Sequence, residues 1–389
     1  MKIKNTWIIA GVHAVHDNYT AFLPTLLPKL IEKLSINNTY AGLLSIFLQG
    51  PSVIQPFVGY ASDKKNLIWI FILTPAVTGI GMSLAGASQS YTMLAVFLFI
   101  VGISSSLFHS LGSVAIGYQD KSTLGKSMGF WMLGGELGRT TGPVVIVLAV
   151  EFLTLEGTVW MFPGGILASI LLYLRFRHSD THGSRGHNPA RLSTVWGILK
   201  KYIMSLILVI IGRSFLLAAV TTFLPVIITQ TGEAYIWGGT SLFLVEAFGV
   251  VGAMAGGTTS DRWGRRKTIF LSMTVSAAFM GILGAIFFFQ SGMHAWVFRG
   301  GYLVLLSVIG FTSLSVGPSF LALIQENFPD NRALANGVYL GLNFGIRSLV
   351  VLLFGIFLDY LSLELSWSIA AVGVLAGAFF IWRIPEFPK

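Results

Sequence analysis

The sequence predicts an all-α membrane protein of twelve transmembrane helices arranged as two related six-helix halves, and three observations predict it. Of its 389 residues, 54% are hydrophobic and only 11% charged, with a mean hydropathy of +0.76. That is too apolar for a water-soluble chain of this length. Apolar runs of about 20 residues, each enough to cross about 30 Å of hydrocarbon, recur along nearly the whole length. Landmarks of the first half also return in the second at a nearly constant offset.

The spans read, in order, as 6–33, 38–61, 67–87, 90–118, 124–150 and 157–175, then 202–230, 236–260, 267–289, 296–327, 333–358 and 363–383. Lys2 and Lys4 precede the first span, and no small-residue cleavage site follows it, so it is expected to be a retained helix. An even number of spans with the N-terminus in the cytoplasm puts 19 of the 25 Lys and Arg residues on the cytoplasmic side. Only Lys29, Lys33 and Arg299 then lie outside, and Arg139, Arg213 and Arg347 fall within spans. This positive-inside bias predicts cytoplasmic termini in an inner (plasma) membrane. It also accounts for the net charge of +9 without nucleic acid.

Between the sixth and seventh spans lies the one long polar stretch, which holds Gly, Ser, His, Asn and Pro beside its basic residues. It divides the chain into an N-terminal bundle over 1–176, a cytoplasmic linker over 177–201 and a C-terminal bundle over 202–389. Gly59-Tyr-Ala-Ser-Asp63 aligns with Gly257-Thr-Thr-Ser-Asp261 at an offset of 198, and Gly129 and Arg139 align with Gly337 and Arg347 at 208. A ten-residue insertion in the second half reconciles the two offsets. The lack of cysteine excludes disulfides, thiolate metal sites and thiol catalysis. The chain carries no His-Glu-x-x-His, Gly-x-Ser-x-Gly or phosphate loop, so neither an enzyme nor a cofactor or metal is expected.

The most specific motif is Gly257-x-x-Ser260-Asp261-Arg262-x-Gly264-Arg265-Arg266-Lys267, in the turn between the eighth and ninth spans. An acidic residue at a helix end flanked by arginines can pair with a neighbouring helix and release it when the halves rock. This loop resembles the signature loop of the major facilitator superfamily, with a degraded copy at Gly59 and Asp63. The resemblance implies two six-helix bundles around a central cavity and transport by alternating access.

Three further stretches stand out: His16-Asp17-x5-Leu23-Pro24-x-Leu26-Leu27-Pro28, Gly102-x-Ser104-Ser105-Ser106-Leu107-Phe108-His109, and Gly134-Gly135-x-x-Gly138-x-x-x-Gly142-Pro143. Together they look like the fosmidomycin-resistance family of drug exporters. Where that family has Pro after the fourth-span His, this chain has Ser110. Gly138, Gly142 and Pro143 resemble the fifth-helix motif of antiporters, although Ile146 and Val147 replace its trailing glycines. Their physical alternative is close helix packing through small residues four apart.

Ionisable side chains within spans are costly and mark functional candidates. Residues 13, 16, 17 and 20 share one face of the first helix, so His13, His16, Asp17 and a hydroxyl form a strip suited to proton exchange. Glu136 and Glu246 are further proton candidates, with the alternatives that Glu136 neutralises Arg139 and Glu246 neutralises Arg213. His109, Arg139, Arg213, Asn343 and Arg347 are candidates for binding substrate. Pseudo-symmetry sets Arg139 opposite Arg347 across the cavity, and guanidiniums there suit a phosphonate, phosphate or carboxylate. Trp131 and Tyr339, related by the 208 offset, either line the cavity or pack. The sequence therefore predicts a monomeric, proton-coupled antiporter that exports a small anionic drug or metabolite. The alternative is an organic-anion or organophosphate exchanger not driven by protons.

Overall fold

A computed structural model of the chain describes residues 2–62, 65–117, 124–178, 196–197, 199–289, 294–328 and 332–385, and every regular element among them is helical. Asp63 and most of the linker lie outside the described residues. Among the described residues, ten helical segments are long and apolar enough to cross a membrane. They cover eleven of the twelve expected spans, because Ser127–Phe176 runs 50 residues and contains two of them. Thr154, at φ 69° and ψ 172°, breaks the helix between those two. The first span is absent from the ten: it is divided at Ala21 into Lys2–Thr20 and Phe22–Leu34, and its buried His and Asp residues make it too polar. Large apolar side chains such as Phe57, Phe152, Trp160 and Met254 are 70% exposed or more, as lipid-facing positions require.

Contacts divide the chain into two compact units, Met1–Ile36 with Leu44–His187, and Asn37–Leu43 with Asn188–Lys389. The first unit is built from α1 (Lys2–Thr20), α2 (Phe22–Leu34), α3 (Asn38–Gln49, whose first turn belongs to the second unit), α4 (Gln55–Ser62), α5 (Ile68–Ala85), α6 (Tyr91–Gly117), α7 (Leu124–Gly157) and α8 (Pro163–Phe176). Its tightest seam runs between α1 and α7. A Cβ on Gly138 would sit 2.3 Å from the Ala14 carbonyl oxygen, so glycine alone allows that approach. Phe71, Phe108, Leu111, Trp131 and Leu172 close the core behind the seam. Lys33 ties the end of α2 to Glu156 and to the Gly86 carbonyl, both at 2.9 Å.

The second unit follows with α9 (Ile203–Leu217), α10 (Leu224–Gln230), α11 (Tyr235–Trp263), α12 (Arg265–Phe289), α13 (Ala295–Asn327), α14 (Arg332–Tyr360) and α15 (Leu363–Phe379). A π-helical turn, Ala218–Thr222, joins α9 to α10, which opens with a proline in its first turn, Pro225. Since Pro225 has no N–H to give the preceding turn, the local ladder is already interrupted where the backbone widens. α11 lies along α13, and α15 seats the fully buried Trp367, which donates Nε1–H to the Met280 carbonyl at 2.6 Å. Asp359 at the end of α14 accepts four hydrogen bonds from the first turn of α3. The donors are the N–H and Nδ2 of Asn38 (both 2.9 Å) and the N–H (2.7 Å) and Oγ1 (2.6 Å) of Thr39. A carboxylate at the unsatisfied N–H groups of a helix start is favourable in both charge and hydrogen bonding, and explains why that turn clusters with the second unit.

Candidate functional site

In the first unit the strip read from the sequence becomes a compact buried cluster. Asp17 is 2% exposed, and three imidazoles converge on its carboxylate. His16 Nδ1 lies 3.0 Å from Oδ1, His13 Nε2 3.3 Å from Oδ2, and His109 Nε2 3.3 Å from Oδ1. His109 comes from α6, where the sequence placed it near the middle of the fourth span. Arg139 NH1 stands 3.8 Å from Oδ2, while its NH2 pairs with Glu136. The expected Glu136–Arg139 pair therefore forms, yet Arg139 also faces Asp17. Thr20, the fourth member of the strip, turns away and donates to the Asp17 main-chain carbonyl.

The cluster exists because α7 comes close enough. A Cβ on Gly135 would lie 2.7 Å from His13 Cε1 and 3.0 Å from Asp17 Oδ2, so that glycine leaves the room the rings occupy. Trp131, 6% exposed, stacks on His13 with centroids 3.7 Å apart, and its carbonyl lies 2.8 Å from His13 Nδ1. Phe108 stacks on His16 at 4.0 Å. Thr78 of α5 and Ser104 of α6 complete the far side, with Thr78 Oγ1 3.2 Å from His16 Nε2. Thr78 was not singled out from the sequence; a lone Thr in an apolar span gives no signal. His13, Asp17 and His109 offer ligand atoms within 4.8 Å of one another, so of the described residues this group could also hold a metal ion.

In the second unit the candidates form a strip of different chemistry. Tyr339, Asn343 and Arg347 follow at intervals of four along α14, on one helical face. Arg213 of α9 donates NH1 to Asn343 Oδ1 at 3.2 Å, and Arg347 donates NH2 to Thr221 Oγ1 of the π turn at 3.0 Å. Both arginines are half-buried, and Nε of Arg213 is buried with no hydrogen-bond partner among the described residues. Tyr339 is 4% exposed and stacks on Phe320, centroids 5.1 Å apart, as Trp131 stacks on His13. Both aromatics thus sit in packed positions. Glu246 is buried on α11.

The signature loop folds into a charge relay. Gly264 follows α11 at φ 97°, a conformation that disfavours any residue with a Cβ, and so starts the turn into α12. Arg265 then reaches back to Asp261 at 2.6 Å, to Ser260 Oγ at 2.6 Å, and across to Glu326 of α13 at 2.9 Å. Glu326 lies outside the motif and was not among the residues singled out. Arg262 stays exposed beside Trp263 and Lys267. In the first copy, Gly59 accepts a hydrogen bond from Ser62, and Asp63 is outside the described residues.

Comparison with known proteins gives a consistent picture. Residues 9–350 match the family described as the Major Facilitator Superfamily. The chain is 24% identical over 378 residues to the fosmidomycin resistance protein of Escherichia coli (strain K12), covering 95% of this chain and 90% of that protein. It is 27% identical over 373 residues to the uncharacterized MFS-type transporter YfnC of Bacillus subtilis (strain 168), covering 90% and 86%. Solved structures share the fold: the xylose transporter XylE of E. coli in an inward-open conformation (TM-score 0.77, 16% identity, 100% and 98% covered) and the nucleoside transporter NupG (TM-score 0.76, 15% identity, 100% of both covered).

Proposed function

The chain belongs to the major facilitator superfamily, and on that premise we propose that it is a proton-coupled antiporter exporting a small anionic drug or metabolite. It is a multi-pass membrane transporter, and its relatives over most of its length move solutes rather than transform them. The observation that carries the coupling half is Asp17, 2% exposed with three imidazole nitrogens within 3.3 Å. A carboxylate in a low-dielectric interior needs compensating positive charge or hydrogen bonds, and imidazole is a group whose charge can be loaded and released with a proton. His13 and His16 share that role, with Glu136 at its edge and Glu246 as a second carrier in the other unit.

The anion is inferred from Arg213, Asn343 and Arg347, because half-buried guanidiniums on one seam offer the paired donors that phosphonate, phosphate and carboxylate groups accept. Within the first unit, His109 and Arg139 are further candidates for an anion. The export direction rests on the likeness to a protein named for fosmidomycin resistance and on Gly138, Gly142 and Pro143, which resemble an antiporter motif. The positive-inside bias supports an inner membrane with both termini cytoplasmic, and no partner subunit is invoked.

The test is flux in proteoliposomes under an imposed pH gradient, with fosmidomycin and inorganic phosphate as probes. Fosmidomycin accumulation that follows the gradient and is lost in Asp17→Asn is the expected result. Phosphate exchange indifferent to the gradient and to Asp17→Asn would replace this reading with the organic-anion exchanger, which needs the arginines alone.

A further inference from the structure

His13 Nε2 stands 3.3 Å from Asp17 Oδ2, and His109 Nε2 stands 3.3 Å from Asp17 Oδ1. For metal–donor bonds of about 2.0–2.1 Å, neighbouring donors on a tetrahedron lie roughly 3.3–3.4 Å apart. Both separations fit that edge. The hydrogen bond behind His13 also turns the ring the right way, since Nδ1 lies 2.8 Å from the Trp131 carbonyl, which can only accept. A neutral ring therefore carries its proton on Nδ1 and its lone pair on Nε2. A main-chain carbonyl on the far nitrogen is the usual outer support of a metal-bound imidazole. Nε2 itself is buried with no hydrogen-bond partner among the described residues, on a side chain whose residue is 4% exposed. A lone pair aimed at a carboxylate oxygen calls for a cation between them. Room for that cation comes from α7, where a Cβ on Gly135 would fall 2.8 Å from His13 Nε2 and 3.0 Å from Asp17 Oδ2. The glycine leaves open a point within reach of both donors, and one methyl group would fill it.

From this geometry we propose that His13, Asp17 and His109 form a binding site for a divalent ion of the Zn2+, Co2+ or Ni2+ class. Two imidazoles and one carboxylate suit such ions, whereas Mg2+ and Ca2+ prefer shells made of oxygen alone. The carboxylate offsets one of the two metal charges. Arg139 is the nearest like charge, with NH1 3.8 Å from Oδ2, and its own charge is offset by the pair with Glu136. His109, with 32% of its side chain exposed, marks the open side of the site. There the ion enters, and water or an oxygen of an anion completes its coordination. His16 is a positioning residue rather than a ligand, because Nδ1 lies 3.0 Å from Asp17 Oδ1 and Nε2 lies 3.2 Å from Thr78 Oγ1. Both of its nitrogens are engaged already.

The metal site stands apart from proton coupling, because its test reads equilibrium binding and involves no flux, so either reading can fail alone. The full chain is prepared in nanodiscs with a purification tag free of histidine. His178→Ala, His182→Ala, His187→Ala and His294→Ala are introduced together, which leaves His13, His16 and His109 of the seven histidines. Titration with cobalt chloride should then load one ion per chain and give the strong visible absorption of four- or five-coordinate Co2+. Zinc should displace it, and Mg2+ and Ca2+ should not. X-ray absorption of the zinc-loaded chain should show two imidazoles in the metal's shell, a readout that needs no further substitution. His109→Ala removes a half-buried ligand and Gly135→Ala fills the ion's place; each should abolish cobalt binding while the helical circular dichroism is kept. Absence of cobalt binding, a zinc shell without two imidazoles, or binding that survives either substitution overturns the proposal.

Discussion

Arg139 and Arg347 occupy matched positions in the two halves, yet their surroundings diverge. Arg139 pairs with Glu136 and approaches the buried Asp17, whereas Arg347 donates to the Thr221 hydroxyl on a π turn. The first unit has gathered acids and imidazoles around its arginine, which suits protons. The second has gathered an amide, hydroxyls and a second guanidinium, which suits an anion. On the proposed function, that contrast would separate driving ion from cargo by changing the side chains around arginines at matched positions.

The comparison can be broken most severely at the α1–α7 seam. Gly138→Leu forces a side chain into a space where even a Cβ would meet the Ala14 carbonyl at 2.3 Å; overpacking of this kind costs about 1–3 kcal/mol or more. We expect loss of monodisperse protein on size-exclusion chromatography. The milder Gly135→Ala should leave folded protein but displace His13 and Asp17, abolishing the pH dependence of flux. Asp17→Asn is expected to bring gradient-driven fosmidomycin uptake down to that of empty vesicles while ligand binding survives, measured by calorimetry.

Arg347→Ala sharpens the contrast from the other side. It should weaken anion binding by about 1.5–3 kcal/mol, the range for a hydrogen bond to a charged group, and leave histidine protonation untouched. Arg139→Ala should do the opposite, shifting the pH profile more than the affinity. If both variants behave alike, the division between the halves falls. Glu326→Gln removes one partner of Arg265 and keeps Asp261, so the expected loss is about 1 kcal/mol or less, the scale of a partly exposed ion pair, read as a small fall in thermal midpoint with slower turnover. Tyr339→Phe keeps the stack on Phe320 and should change binding least.

Much of this was legible along the chain because it follows from local spacing. Apolar runs near 20 residues located the helices, and the period of 3.6 placed His13, His16 and Asp17 on one strip. The Asp261 loop declared itself through Gly264, whose φ of 97° explains the glycine. The Glu136–Arg139 pair, three apart on one helix, was also foreseeable. The residues that escaped are those whose meaning depends on another helix. Thr78, Thr221 and Glu326 look ordinary in sequence and acquire roles only by facing His16, Arg347 and Arg265.

The sequence by itself determined an all-α, multi-span membrane protein with the major facilitator fold and named the charges that lipid tolerates least. Tertiary structure decided what those charges touch. Helix periodicity sets which side chains share a face, but how the rings of α1 turn toward Asp17 depends on atom-to-atom contacts of about 3 Å with neighbouring helices. Those distances are set by glycines such as Gly135 and by hydrogen bonds from neighbouring helices, and neither is encoded in the spacing along any one of them.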